Sequence, residues 1–158
     1  MSYKTEQEKF WSGEFGNDYT DRNKNKNAIA SNIALFSEII KSTKSISSVI
    51  EFGANIGHNL EAIMQLLPLA EYTAVEINEK AANCLKMNKR INVFHSSMLD
   101  FKPDSERDLV ILKGVLIHIN PDELGRIYDL IYRTSKKYIC FIEYYNPIPT
   151  KIEYRGHK

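Results

Sequence analysis

The apolar positions of this chain switch between two spacings along its length. Short apolar runs bounded by polar or glycine-rich segments predict five strands, at about Ser48–Phe52, Glu71–Ile77, Ile91–His95, Asp108–Leu112 and Lys137–Glu143. Apolar residues three or four positions apart predict helices at Asn25–Lys44, from Gly57 to Pro68, at Glu79–Met87 and after Asn120. Strands that alternate with helices in this way predict an α/β fold, a mainly parallel sheet with helices on both faces.

The helix after Asn120 has a clear predicted start. Asn120 is a good N-cap residue, Pro121 suits the first helical position, and Glu123 completes the pattern of a capping box. The fifth strand is the last predicted element, because only the segment Asn146 to Lys158 follows it. That leaves an apolar sheet edge, which proteins normally cover with another segment or a partner chain.

Residues 1–24 differ from the rest of the chain. They combine polar residues with the aromatic residues Phe10, Trp11, Phe15 and Tyr19, and the pattern is too irregular for one long helix. Aromatic side chains in a segment that cannot form its own core must pack on something else. We therefore predict an N-terminal arm or lid over a main domain at 25–158. A plain N-terminal cap on the core is the alternative.

Composition narrows the function classes. The chain has 158 residues, and its net charge of +1 arises from 21 basic and 20 acidic residues. That balance argues against nucleic acid or an anionic membrane surface as a partner. Cys84 and Cys140 are expected to be reduced and packed, with no metal-ligand spacing to the four histidines. A polar N-terminus and the lack of an apolar run of ~18 residues predict a cytoplasmic protein.

The chemistry centres on V-I-E-F-G-A-N-I-G, from Val49 to Gly57. An apolar strand that ends in a glycine-rich turn and opens a helix is typical of a nucleotide or cofactor site. Gly53 can take backbone angles closed to other residues and leaves no Cβ between the backbone and a ligand. Gly57 is expected to let the following helix pack close to the strand.

The residues of the turn favour one cofactor over another. Dinucleotide sites use G-x-G-x-x-G, and here Asn55 replaces the middle glycine that admits a pyrophosphate. Glu51 is also unexpected for NAD, so an NAD-dependent oxidoreductase is the disfavoured alternative. The pattern E-x-G-x-x-x-G fits a ligand with an ammonium group and no pyrophosphate, such as S-adenosylmethionine (SAM). Glu76, at the end of the second strand, can accept hydrogen bonds from both ribose hydroxyls.

Longer motifs carry a resemblance to a family. They are F-W-S-G-E-F-G-N-D-Y-T-D-R-N (Phe10 to Asn23), E-F-G-A-N-I-G-H-N (Glu51 to Asn59), G-V-L-I-H-I-N-P-D-E-L (Gly114 to Leu124), E-Y-Y-N-P-I-P (Glu143 to Pro149) and Y-R-G-H (Tyr154 to His157). The chain resembles class I SAM-dependent methyltransferases, and within them the methylases associated with pseudaminic acid biosynthesis. The resemblance implies a Rossmann-like fold and seven strands, the last two an antiparallel hairpin. This chain has room for five, so we expect a truncated, trimmed or naturally short relative.

The resemblance implies roles for residues around the cofactor. Glu51 would face the methionine ammonium, while Gly53, Ala54, Asn55 and Gly57 form a backbone wall. Glu76 with Ile77 would bind the ribose, and Ser97, Met98 and Leu99 would flank the adenine unless Met98 and Leu99 belong to the core. Lys113 and Gly114 would lie beside the sulfonium, although Lys113 could equally be a solvated charge. Tyr19 and Arg22 resemble residues that close over the methionine carboxylate.

The acceptor side is assigned in the same way. Trp11 and Phe15 would wall the acceptor pocket, and packing onto the core is their equal alternative. His118 is the best candidate for a general base, and its alternative role is to brace the Asn120 cap. The remaining candidate contacts are Glu143, Tyr144, Tyr145, Asn146 and His157. The expected function is a methyltransferase that uses SAM, without a metal, on a small-molecule or sugar-nucleotide acceptor in nonulosonic-acid glycan synthesis. The alternative is a SAM-binding module without turnover. The fifth-strand edge is open to self-association.

Overall fold

The computed structural model of the protein describes residues 3–25, 27–148 and 150. Its helices are α1 (Glu6–Ser12), α2 (Glu14–Arg22), α3 (Asn27–Lys41), α4 (His58–Leu66), α5 (Glu79–Lys86) and α6 (Leu124–Thr134). Its strands are β1 (Ser48–Phe52), β2 (Glu71–Glu76), β3 (Ile91–His95), β4 (Arg107–Lys113) and β5 (Ser135–Ile142). All five predicted strands are therefore present, with ends that differ by two residues at most. No helix in these ranges is long and apolar enough to cross a membrane.

The sheet has the order β3-β2-β1-β4-β5, and every neighbouring pair is parallel. This confirms the predicted α/β fold with a parallel sheet. The central strand β1 pairs with β2 on one side and with β4 on the other, so that Glu51 lies opposite both Ala74 and Ile111. Since all strands run the same way, their carboxyl ends meet at one edge, where ligands bind in sheets of this type.

Two apolar layers flank the sheet, which confirms helices on both faces. Val49, Leu109 and Ile111 face a layer that contains residues of α3, α4 and α5. Ile50, Phe52, Val110 and Leu112 face the other layer, with Ile127 and Ile131 of α6. Side chains alternate between the faces of a strand. Glu51 and Lys113 therefore lie on the face covered by α3 and α4, at the end of the apolar layer.

The predicted capping box at Asn120 is wrong. Residues Pro121–Glu123 form a 3₁₀ turn, and α6 begins only at Leu124. The Asn120 side chain does act as a cap, but it accepts from the Asp122 backbone N–H at 3.0 Å. The Glu123 carboxylate instead pairs with Arg126 at 2.6 Å. The tighter turn explains the failure, because its hydrogen bonds close one residue earlier than those of an α-helix.

The N-terminal segment forms two short helices instead of one, as its irregular pattern predicts. Gly13, in an extended conformation, separates α1 from α2. We call residues 4–22 the arm. It contacts residues that follow the carboxyl ends of β2 and β3. Asn78 Nδ2 donates to the Trp11 carbonyl at 3.2 Å and to Asn17 Oδ1 at 3.0 Å. Lys4 pairs with Asp100, and the Glu8 carboxylate accepts from the Ser97 hydroxyl.

Candidate functional site

The Gly53–Gly57 turn follows β1 at the carboxyl edge of the sheet. Gly53, Asn55 and Gly57 all have left-handed backbone angles, with φ of 69°, 47° and 87°. A Cβ on Gly53 would lie 2.7 Å from the Val115 side chain, so the missing Cβ makes room for that residue. A Cβ on Gly57 would lie 2.6 Å from the Leu85 side chain. The missing Cβ therefore allows close packing of α5 against this turn.

Glu76 is held between this turn and the start of α5. One carboxylate oxygen accepts from the Asn55 backbone N–H at 2.7 Å, and the other accepts from the Asn78 backbone N–H at 2.8 Å. The side chain is buried, and burial raises its pKa, while the backbone donors oppose that shift. A carboxylate has about four acceptor sites, so both oxygens retain capacity for further donors.

Glu51 lies at the end of β1 and is almost completely buried, with 1% of its surface exposed. Its Oε1 atom accepts from Asn59 Nδ2 at 2.6 Å, whereas Oε2 has no hydrogen-bond partner among the described residues. Burial raises the pKa of Glu51 to about 8, although Asn59 and the charge of Lys113 oppose the shift. An unpartnered buried acceptor is costly and calls for a proton or a cationic ligand.

Lys113, at the end of β4, faces the same layer. Its ammonium donates to Asn32 Oδ1 of α3 at 2.8 Å and to Asn59 Oδ1 of α4 at 3.2 Å. Lys113 is therefore not merely a solvated charge. We call Glu51, Asn59, Lys113 and Asn32 the polar bridge, since it joins β1, β4, α3 and α4. Gly114, next in the chain, has a φ of 65° and open space where a Cβ would lie.

The sequence patterns gave no role to Asn32 or Asn59. Asn32 carried a usable signal, because it lies three residues after Ile29 and four before Phe36, on the apolar stripe of α3. A polar residue on the buried face of an amphipathic helix needs a partner. Asn59 had a weaker signal, its position in the first turn of the helix that follows the glycine turn. Neither signal identifies Lys113 as the partner.

The segment after β3 is divided between the core and the arm. Met98 is buried in the layer that contains Phe52 and Phe101, which agrees with its core alternative. Ser97 is 3% exposed; its hydroxyl donates to Glu8 of the arm and accepts from the Leu99 N–H at 3.0 Å. Leu99 packs at the rim of the same layer. Ile77, after β2, has its carbonyl 3.1 Å from His95 Nε2.

His118 lies on a 3₁₀ turn (Leu116–His118) after β4, and the arm reaches it. The imidazole and the Trp11 ring have centroids 4.5 Å apart. Burial lowers the pKa of His118, which favours the neutral ring. Glu143 anchors the same turn, because its Oε1 accepts from the Val115 and Leu116 N–H groups at 2.8 and 3.1 Å. Glu143 Oε2 is buried without a partner among the described residues.

The other sequence-predicted residues lie in two groups. The first is an aromatic cluster on the arm, in which the Arg22 guanidinium is 5.5 Å from the Phe15 ring and 5.8 Å from the Tyr19 ring. Trp11 joins it, 5.2 Å from Tyr19. The second group follows β5: Tyr144 and Tyr145 are 80% and 88% exposed, and Asn146 bonds to the Ile148 N–H. His157 lies outside the described residues. Within them, no cluster of His, Cys, Asp or Glu could hold a metal ion.

Comparison with known proteins identifies the fold. No family model and no curated protein matches the chain. The structure is similar to the plantazolicin methyltransferase BpumL in complex with a desmethylPZN analogue and SAH, with a TM-score of 0.66, 19% identity, and 85% of this chain and 55% of that one covered. It is also similar to the sugar N-methyltransferase KedS8 from Streptoalloteichus sp ATCC 53650, with a TM-score of 0.66, 16% identity, and coverage of 93% and 58%.

A third similar structure is the glycopeptide N-methyltransferase MtfA with SAM, with a TM-score of 0.57, 14% identity, and coverage of 66% and 50%. The fold is thus the Rossmann-like methyltransferase fold, as the sequence predicts. The chain spans about half the length of these structures. Within the described residues, no antiparallel strand follows β5.

Proposed function

We propose that this protein binds SAM and transfers its methyl group to a small or sugar-linked acceptor, with S-adenosylhomocysteine (SAH) as the product. One observation carries the proposal. Two buried carboxylates, Glu51 and Glu76, lie at the ends of neighbouring strands beside a turn with three left-handed residues. The fold around them is similar to structures that contain SAH or SAM.

The residues fit the chemical groups of this cofactor. Glu76, fixed by two backbone N–H groups, has acceptor capacity for the ribose diol. The unpartnered Oε2 of Glu51 would accept from the ammonium group. Ser97 and Leu99 would flank the adenine, and Gly114 leaves space beside the sulfonium. Tyr19 and Arg22 of the arm are the candidates for closing over the amino-acid end.

Bound SAM would supply a methyl group on a positively charged sulfur, and the neutral thioether left after transfer is a good leaving group. The protein must therefore hold the acceptor in line and exclude water. Trp11, His118 and Glu143 lie around the ends of β4 and β5 and are the best candidates for this task. A hydroxyl acceptor needs a base, and the lowered pKa of His118 keeps its ring neutral and able to take a proton. An amine acceptor needs less help.

The acceptor class rests on two lines of support. The similar structures include a sugar N-methyltransferase, a glycopeptide N-methyltransferase and a plantazolicin methyltransferase. The sequence motifs resemble the pseudaminic acid methylases. We therefore propose an amino-sugar or nonulosonic-acid acceptor, with a sugar nucleotide as its carrier, and a cytoplasmic location in keeping with two free thiols. We also propose self-association through the β5 edge.

A second candidate is a SAM-binding module without turnover. It is favoured by the acceptor side, since the candidate acceptor contacts Tyr144 and Tyr145 are 80% and 88% exposed and form no enclosed wall. Release of SAH, measured with nucleotide-linked nonulosonic acids and with amino sugars as acceptors, separates the two. Binding of SAH without any release would favour the module.

Calorimetric titration tests the cofactor. SAM and SAH should bind, and NAD should not. Glu76→Gln should weaken SAH binding by about 1.5–3 kcal/mol, because the charged acceptor for the ribose is lost. The exposed Glu79, in the first turn of α5, provides the control variant Glu79→Gln, whose affinity should be unchanged. Tight NAD binding with no response to SAH would overturn the proposal.

A further inference from the structure

The polar bridge places a carboxyl group and an ammonium group at the two ends of one amide. Asn59 Nδ2 donates to the Glu51 carboxylate, and Asn59 Oδ1 accepts from the Lys113 ammonium. The geometry fixes the orientation of that amide, since a flip would face the donor to a donor and the acceptor to an acceptor. Glu51 and Lys113 form no ion pair within 4.0 Å, although they lie two positions apart in register on neighbouring strands.

The Glu51 carboxyl group and the Lys113 ammonium can each form a further hydrogen bond. Glu51 Oε2 is buried and has no partner among the described residues. The Lys113 ammonium has three N–H groups, and the structure assigns two of them, to Asn32 and Asn59. The amide therefore leaves the Glu51 carboxyl group, which a cationic ligand would bind in its ionised form, beside a positive donor at the carboxyl edge. A ligand that carries both an ammonium and a carboxylate is complementary to such a pair.

We propose that the polar bridge is the subsite for the α-amino acid end of the cofactor. Lys113 takes the carboxylate, and Asn59 is the positioning residue that keeps Lys113 and Glu51 apart and available. Asn32 supports it, because it holds the ammonium of Lys113 from α3. The inference rests on the proposed function, and it transfers the carboxylate contact from Arg22 to Lys113. Arg22 is already placed over the Phe15 and Tyr19 rings of the arm.

The bridge would also determine specificity. Without Asn59 the two charges are free to pair with each other, and a zwitterion would then have to break that pair. A ligand that has the adenosine and sulfur but lacks the amino acid, 5′-methylthioadenosine, makes no demand on the bridge. The bridge should thus select SAM and SAH against such a ligand.

Calorimetry with three ligands tests the inference: SAH, 5′-methylthioadenosine and decarboxylated SAH, which keeps the amine. In the intact chain SAH should bind most tightly. Asn59→Ala should weaken SAH binding about tenfold or more and change the methylthioadenosine affinity by less than about twofold. Lys113→Gln should weaken SAH and leave decarboxylated SAH unchanged. Asn83→Ala, an exposed asparagine of α5, is the matched control and should change neither.

Each result is decisive. If Asn59→Ala loses affinity for SAH and for methylthioadenosine equally, the substitution has a general effect on the pocket and the inference is overturned. Unchanged SAH affinity in both Asn59→Ala and Lys113→Gln would also overturn it. If Asn59→Ala does not fold, Lys113→Gln and Arg22→Gln are compared instead. The inference is overturned if Arg22→Gln weakens SAH binding and Lys113→Gln does not. Failure of all three ligands to bind the intact chain would instead refute the proposed function.

Discussion

At the scale of single residues, the site combines features that stability alone would not favour. A carboxyl group with 1% exposure and an unpartnered oxygen costs free energy in the absence of a ligand. Asn55 adds a left-handed backbone without being glycine, and its own Oδ1 is buried without a partner among the described residues. Such costs concentrate where a ligand supplies the missing interaction.

The raised pKa of Glu51 gives a pH dependence with a definite sign. Between its ordinary value of 4.5 and about 8, the folded protein holds a proton on Glu51 that the unfolded chain has released. The free energy of unfolding should therefore fall as the pH rises through this window. Glu51→Gln removes this titrating group. Between pH 5 and pH 8, the free energy of unfolding of the variant should therefore fall by roughly 2–4 kcal/mol less than that of the intact protein.

Urea denaturation without ligand, at several pH values, measures this difference. The pKa of Glu76 is also raised, so Glu76 contributes to the pH dependence of the free energy of unfolding in both proteins. In Glu51→Gln this dependence should therefore be weaker than in the intact protein but not absent. Parallel stability profiles for the two proteins would contradict the assignment of Glu51 as a protonated buried acid.

The residue scale also shows what the sequence could supply. The positions of Glu51 and Glu76 at strand ends, and the turn at Gly53 and Gly57, were predictable because apolar runs and glycines in the sequence show where those strands end. Asn59 and Asn32 were not, because their roles depend on contacts between helices and strands far apart in the chain. Met98 illustrates the reverse case, since an apolar residue in a loop reads the same whether it contacts a ligand or the core.

At the scale of elements, the arm is the unusual part. Its helices are short, and it is joined to the sheet edge through polar contacts of Glu8, Asn78 and Lys80. We propose that it acts as a lid over the candidate site; a plain N-terminal cap on the core is the alternative. Gly16 is central to its shape, because a Cβ there would lie 1.8 Å from the Trp11 carbonyl oxygen.

Gly16→Ala should therefore displace α2 from α1 and loosen the arm while the sheet stays intact. Hydrogen exchange measured by mass spectrometry should show faster exchange in residues 6–22 and unchanged exchange in β1 and β4. Gly125→Ala is the matched control, since a Cβ there has open space within α6 and should stabilise the protein by about 0.5–1 kcal/mol. Unchanged exchange in the arm of Gly16→Ala would argue against the close α1–α2 packing.

The strands were easier to predict than this arm. The strands β1, β2 and β4 are buried on both faces, so their apolar runs mark them clearly in the sequence. The ends of helices depend on caps, and the turn after Asn120 shows how a tighter hydrogen-bond pattern defeats a reasonable capping motif. The contacts of the arm depend on tertiary structure, and its composition predicts only that it must pack on something.

At the scale of the whole molecule, the two outer strands of the sheet, β3 and β5, differ in length and in exposure. β3, at one edge, is short, whereas β5 spans eight residues and carries Ile139 and Phe141 at 39% and 46% exposure. Tyr128 of α6 extends this apolar patch, since it is 48% exposed and its ring lies 6.5 Å from that of Phe141. An edge strand of this length with exposed apolar side chains favours pairing with another chain.

Phe141→Lys should abolish any self-association through this edge, because a charge would have to be buried in the contact. In sedimentation velocity experiments, the sedimentation coefficient of the intact protein should rise with protein concentration, and that of the variant should stay constant. Leu69→Lys, which replaces a 97%-exposed residue between α4 and β2, should behave like the intact protein. A monomer at all concentrations would refute self-association.

The contact between Trp11 and His118 has one further consequence. Trp11 is the only tryptophan of the chain, and it lies on the arm with its ring 4.5 Å from an imidazole of the sheet edge. An imidazolium ring quenches indole emission more strongly than a neutral imidazole does. The intrinsic fluorescence of the unlabelled protein should thus report the distance between the arm and the carboxyl edge of the sheet, and acidification should dim the emission only while the two are in contact.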